Sequence, residues 1–209
     1  MSSSAASVSL VGGVPAFDFA NTASGRDSPT PFENLHAPSD LVAWARHAGI
    51  VDEAGARRCL AAFDADAGVA QRTFRHALAL RDAIYRIGSA LAFGEKPEGA
   101  DLRVLRDHAQ RAIGSGELAP AAGGGYRFDF SEASPEAALI GPLALSAIDL
   151  LATADFSRIK QCPGHGPGND CQWLFLDLSK NNSRRWCDMA TCGNRTKAKR
   201  HRARREHHH

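Results

Sequence analysis

Four of the five cysteines in this 209-residue chain fall between Cys162 and Cys192, as two pairs: Cys162 with Cys171, and Cys187 with Cys192. Thiols gathered this closely, in a chain whose start lacks the basic and apolar regions of a secretory leader, read more readily as a tetrahedral metal site than as two disulfides. Zinc is the expected ion, one per chain. It takes thiolates at about 2.3 Å, so two turns must each aim two sulfurs at one point. Pro163 to Asp170 form a Gly- and Pro-rich loop between the first two cysteines, and His165 within it is the alternative donor in place of either sulfur. Cys187 and Cys192 are five positions apart, about 140° around a helix, and cannot share one helical face. The spacing therefore predicts Cys187 just before a helix and Cys192 in its first turn, with Thr196 to Arg205 continuing the helix. Upstream, Gln172 to Ser179 is apolar, aromatic and partly alternating, which predicts a strand. Ser179 to Ser183 carries turn residues, and Arg184 to Trp186 is the expected returning strand. Knuckle, hairpin and helix together make a treble-clef-like finger with Trp173, Phe175 and Trp186 as its miniature core. Four thiolates around a dication leave net negative charge, and Arg184, Arg185, Arg195 and the helix N-terminus are placed to offset it.

The run W-C-D-M-A-T-C-G-N-R-T-K at positions 186–197, preceded by W-L-F-L-D-L-S-K-N-N-S-R-R, resembles the CGNR-type zinc finger, named after the tetrapeptide found here at Cys192 to Arg195. The first knuckle is longer than the family's usual one. In that family the finger follows an alanine-rich domain called ABATE, described as a stress-induced transcriptional regulator, so the resemblance implies DNA binding. The ABATE resemblance extends to Phe19-Ala-Asn21-Thr22 near the start and to the Leu80-Arg81 pair. It makes Asp18, Asn21 and Arg81 candidates for contacting a small-molecule effector. Each has a plainer alternative: Asp18 and Asn21 as organisers of a turn, and Arg81 as a solvated or internally paired cation.

The elements that position these residues are mainly α-helical, with a small β component. Val8 to Thr22 reads as a short strand, a Gly-Gly turn and a second extended piece with Phe17 and Phe19 on one side and Asp18 on the other. Ser39 is expected to cap a helix that buries Leu41, Val42, Trp44, Ala45 and Ala48 and ends at Gly49. A second helix runs from Asp52 to Phe63, with Cys59 as a packing residue. Ala65 to Phe93 carries Val69, Thr73, Ala77, Leu80, Ile84, Ile87 and Leu91 at helical spacing, the longest apolar face in the chain. Asp101 to Ile113 follows, with Leu102, Leu105, Ala109 and Ile113 as its inner stripe. Gly123 to Phe130 signals a hairpin expected to pair with the N-terminal strands. Ser134, Pro135 and Glu136 open a last, nearly all-apolar helix. The expected organisation is an ABATE-like helical domain over 1–157 and a finger over 158–206, with His207 to His209 set aside as a tag remnant.

The formal charge of +2 hides a strong asymmetry: residues 158–206 carry 12 basic and 4 acidic side chains, and the remainder of the chain is acidic. Lys197, Lys199, Arg200, Arg202, Arg204 and Arg205 load one presumed helix, and with Arg184, Arg185, Asn194 and Arg195 beside it they are the expected nucleic-acid contacts, a set that suits phosphates. Asn194, Arg195 and Lys199 are the candidates for base edges. No G-x-S-x-G and no P-loop is present, and four cysteines close the zinc shell, so no enzyme is expected. No run of eighteen apolar residues occurs, so no membrane span is expected, and the expected location is cytoplasmic. One finger offers a small interface, so specific regulation calls for a homodimer or accessory contacts. The alternative reading is an RNA-binding or protein-docking module built on the same zinc core.

Overall fold

The computed structural model describes residues 5–26, 28, 31–164 and 171–198. Six helices form the body: α1 (Pro15–Ala20), α2 (Pro38–His47), α3 (Glu53–Ala65), α4 (Ala67–Ala92), α5 (Gly99–Ser115) and α6 (Pro135–Thr153). Among the described residues three two-stranded antiparallel sheets accompany them. They are β1 (Ala23–Ser24) with β2 (Phe32–Glu33), β3 (Glu117–Pro120) with β4 (Tyr126–Asp129), and β5 (Ile159–Gln161) with β6 (Leu174–Leu176).

Helix α4 is the spine. Asp66 caps it by accepting from the Gly68 and Val69 N–H groups, and Thr73, Ala77, Leu80, Ile84 and Ile87 are buried along the stripe that the periodicity predicts. Helix α6 opens as expected, with the Ser134 side chain accepting from the Ala137 N–H and Pro135 at the first helical position. It runs on through Pro142 and packs against α5, α1 and α4, burying Leu139, Ile140, Leu143 and Leu150. By length and composition alone it could cross a membrane, but these contacts are those of a core helix.

Several expectations are corrected. Phe17 and Phe19 do not sit on an extended strand: Pro15 starts a short helix there, and both rings are buried because α1 is enclosed by α4, α6 and β6. Helix α2 is closed at its start by Asp40, whose carboxylate accepts from the His36 and Ala37 N–H groups, and not by Ser39. In α5 the inner face is Leu105, His108, Ala109 and Ala112, while Leu102 and Ile113 are exposed. Among the described residues the hairpin β3–β4 pairs with itself alone, Leu118 opposite Phe128, and not with the N-terminal segment.

The finger is not an appendage on a flexible arm. Ile159 of β5 and Leu174 of β6 belong to the same buried core as Phe17, Leu80 and Leu143. Helix α4 passes so close to β6 that a Cβ at Gly88 would lie 2.5 Å from Leu174 Cδ1 and 2.8 Å from Phe17 Cε1. Only glycine permits that approach.

Candidate metal centre

The four cysteines converge. Their sulfurs all lie within 4.8 Å of one another and all four residues are buried. Cys171 and Cys187 Sγ are 3.4 Å apart, and Cys187 and Cys192 Sγ 3.7 Å. A tetrahedron with arms of about 2.3 Å has edges of about 3.8 Å, so the residues present fit a thiolate-bound zinc. Hydrogen bonding to the Cys162 sulfur, with burial and like charge, holds the Cys171 and Cys187 thiols above the ordinary thiol range. A bound dication reverses that balance and takes all four as thiolates. With four protein donors the shell is closed, so the centre is structural: one zinc, held to fix the surrounding loops.

Local sequence explains how each sulfur is aimed. Cys162 directly follows β5, and its N–H donates to the Trp173 carbonyl at 2.8 Å, which closes the first knuckle. Cys187 precedes a single π-helical turn, Met189–Gly193, and Cys192 lies within it, as the five-residue spacing predicts. Asp188 starts that turn by accepting from the Ala190 and Thr191 N–H groups, and helix continues over 194–198. Thr196 Oγ1 donates to the Gly164 carbonyl at 3.1 Å and so ties the helix to the first knuckle. His165 lies outside the described residues.

The sheet beside the centre differs from the expected hairpin. The partner of β6 is β5, upstream of the first cysteine, in the register Ile159 with Leu176 and Gln161 with Leu174. Arg184 to Trp186 form no strand. Their course is set by Asp177, fully buried, which accepts from Lys160 Nζ at 2.6 Å, the Arg184 N–H at 2.8 Å and the Ser179 N–H at 2.9 Å. Burial alone would raise its pKa, but these donors outweigh burial and hold the carboxyl far below the usual carboxylate range. Lys160 also donates to the Asn182 and Arg184 carbonyls. Nothing local in the sequence pairs Lys160 with Asp177; the only cue is an acid interrupting an apolar run.

Arg184, expected from the sequence among the nucleic-acid contacts, instead belongs to this inner framework. Its guanidinium donates to the carbonyls of Val11, Trp186 and Cys187 and lies 4.4 Å over the Phe175 ring. Arg185 is exposed, over the Trp186 ring at 5.4 Å, and Asn194, Arg195 and Lys197 are exposed on the helix that follows the second knuckle. Lys199, Arg200, Arg202, Arg204 and Arg205 lie outside the described residues.

The three effector candidates are engaged with internal partners. Asp18 accepts from the Gly12 N–H at 2.7 Å, and burial raises its pKa against that bond and the nearby Arg184 charge. Asn21 is fully buried and bonds to the backbone of β6. Arg81 is 4% exposed and donates to Glu33 at 2.7 Å, Asp82 at 3.2 Å and Thr22 Oγ1 at 3.3 Å. From the finger's side, Gln161 donates to the Tyr85 hydroxyl at 2.7 Å and accepts from Ser89 Oγ at 3.0 Å, both on α4.

Fold and site together define a class: a helical body with a four-cysteine zinc finger docked into its core. Two family models divide the chain along these lines. One, described as "Putative stress-induced transcription regulator" (ABATE), matches residues 13–154, and the CGNR zinc finger model matches residues 158–205. The chain belongs to the ABATE family and carries a CGNR zinc finger. Neither family is described as enzymatic, and no curated protein matches the chain.

Proposed function

We propose that this protein is a zinc-dependent DNA-binding transcriptional regulator acting in the cytoplasm, with its basic C-terminal finger as the DNA contact. The observation that carries the reading is a division of labour among the finger's cations. Arg158, Lys160 and Arg184 are bonded to carbonyls and Asp177 inside it. Lys180, Arg185, Arg195 and Lys197 stand exposed outside it. The sequence adds Lys199, Arg200, Arg202, Arg204 and Arg205 immediately beyond. Zinc fixes the two knuckles, the knuckles fix the start of the helix, and the helix presents the outer cations to phosphates. Asn194, Arg195 and Lys199 are the groups proposed to reach base edges. Residues 1–157 are proposed as the unit that receives an effector, and a homodimer as the route to a larger interface. No catalytic step is assigned.

The test is fluorescence anisotropy of a mixed-sequence duplex titrated with zinc-loaded protein over a salt series. A companion chain carries Gln in place of Arg195, Lys197, Lys199, Arg200, Arg202, Arg204 and Arg205. About six neutralised phosphates give a slope of log K against log salt near −5, which the companion chain should largely lose. Absence of binding at low salt would sink the DNA reading. It would turn the search to RNA or protein partners of the same zinc core.

A further inference from the structure

The hairpin β3–β4 leaves one strand edge open. Among the described elements β4 packs extensively on β3 alone, and a groove of about 690 Å³, lined by residues of both, lies between it and α3. The Ala121 N–H donates to the Gly125 carbonyl at 3.0 Å, which sets the phase of the ladder. Arg127 therefore exchanges its backbone bonds with Ala119, and Asp129 with Glu117, while alternation turns the backbone of Tyr126 and Phe128 away from β3. Among the described residues those outward N–H and C=O groups have no backbone partner. The opposite edge is different: Pro120 has no N–H, so β3 is blunted for pairing where β4 keeps every donor.

The side chains of β4 are also incompletely matched by β3. Asp129 stands opposite a like charge, Glu117, and Arg127 stands opposite Ala119. Arg127 is exposed and forms no salt bridge among the described residues. The Asp129 carboxylate accepts from the Ser131 N–H and hydroxyl at 3.0 and 3.2 Å and keeps further lone pairs. On the other face of the hairpin Leu118 and Tyr126 are both exposed beside Phe128.

An antiparallel strand that matched this edge would place a cation opposite Asp129, an apolar residue opposite Phe128 and an anion opposite Arg127. Read from its own N-terminus, that strand is basic, apolar, acidic. β4 itself reads Arg127-Phe128-Asp129. A surface that complements itself in this way fits an isologous, two-fold contact.

We infer that β4 is the self-association edge of this protein, two copies pairing antiparallel through it about a two-fold axis at Phe128. Arg127 of each copy then stands opposite Asp129 of the other, in the closer, non-hydrogen-bonded kind of pair, and Tyr126 stands opposite Phe130. The blunted β3 strands form the outer margins of the joined sheet, so pairing stops at two copies. Strand pairing of this length is small beside a standard interface of about 1,600 Å², so the dimer dissociates in the micromolar range. This names the surface of the homodimer in the proposed regulator; the pairing itself needs no DNA, and only its regulatory use rests on that reading.

The test is sedimentation velocity of the full zinc-loaded chain without DNA, from about 1 to 200 μM. The parent chain should pass from monomer to dimer within that range. Arg127→Glu and Asp129→Arg should each weaken the dimer about tenfold or more, because each turns two attractive pairs into two repulsive ones. Mixed in equal amounts, the two variants should dimerise again, since both cross-strand pairs are then of opposite sign. Recovery on mixing also shows that both variants are folded. Arg127 is exposed, so its variant keeps the fold and decides the matter by itself. A parent chain that stays monomeric, an Arg127→Glu chain that dimerises as well as the parent, or a mixture no stronger than its components would each overturn the contact. A monomer that still binds DNA overturns this contact and leaves the DNA reading standing.

Discussion

The side-chain amide of Asn21 pairs with the backbone of Leu174 as a strand would. Its Nδ2 donates to the Leu174 carbonyl at 2.9 Å, and the Leu174 N–H donates to its Oδ1 at 2.8 Å. One buried carboxamide thus supplies the ladder partner that β6 lacks on its inner side, and it locks the helical body to the finger. Asn21→Ala leaves both backbone groups unsatisfied in the core and should destabilise by about 2–4 kcal/mol. Asn21→Asp keeps the acceptor but turns a carboxylate toward the Leu174 carbonyl, and should be worse. Chemical denaturation measures both, and midpoints indistinguishable from the parent chain would refute the role.

Because Ile159 and Leu174 lie in the body's core, metal loss should be felt well beyond the finger. Zinc at a thousand times its Kd stabilises by about 4 kcal/mol, or about 8–16 °C for a chain of this size. Chelation should therefore lower the melting temperature by that order and speed amide exchange in α4 and α1 as well as in residues 159–192. Metal analysis should find one zinc per chain, lost on Cys187→Ser. A melt of the helices unchanged by chelation would show the finger to be energetically separate.

Much of this could be read from residue types and spacing, and the failures share a cause. The cysteine cluster, the stripe of α4 and the Ser134-Pro135-Glu136 start are local signals, and each describes an element that forms. Helix α1 was hidden because Phe17 and Phe19, two apart, imitate a strand when a short helix is buried all round. The partner of β6 was hidden because pairing is a long-range choice: Ile159–Gln161 and Arg184 to Trp186 are both adjacent to a cysteine, and only the Lys160–Asp177 contact favours the first. Arg184 looked like its neighbour Arg185, since a guanidinium that binds carbonyls and one that faces solvent have the same letter.

That distinction is testable. Arg184→Ala removes donors to the Val11, Trp186 and Cys187 carbonyls, so it should destabilise the finger by about 2–3 kcal/mol and speed zinc transfer to a chelator. Arg185→Ala should leave the melt within about 0.5 kcal/mol of the parent. In the DNA titration it should instead reduce the salt slope by about 0.9. Reversed behaviour, with Arg185 controlling stability and Arg184 only DNA affinity, would overturn the division between inner and outer cations.

His108 should give the body a pH dependence of its own. It is 7% exposed on α5, with Arg111 Nη2 at 3.1 Å from its Nδ1 and the His76 ring at 6.0 Å, while Asp107 and the Glu136 carboxylate on His76 oppose them. Burial first, then the charges of Arg111 and His76, lower its pKa to about 4. An unfolded histidine titrates near 6.5, so between those values the unfolded chain binds the extra proton. Stability from this residue is complete above about pH 6.5 and is lost as pH falls toward 4, amounting to about 2 kcal/mol after allowing for solvent screening. Acid also releases zinc, but equally from a His108→Gln chain, so the informative quantity is the difference between the two denaturation curves. That difference should shift toward the variant as pH drops from 7 to 4.5. Parallel pH profiles for the two chains would show that His108 is not held neutral by its surroundings.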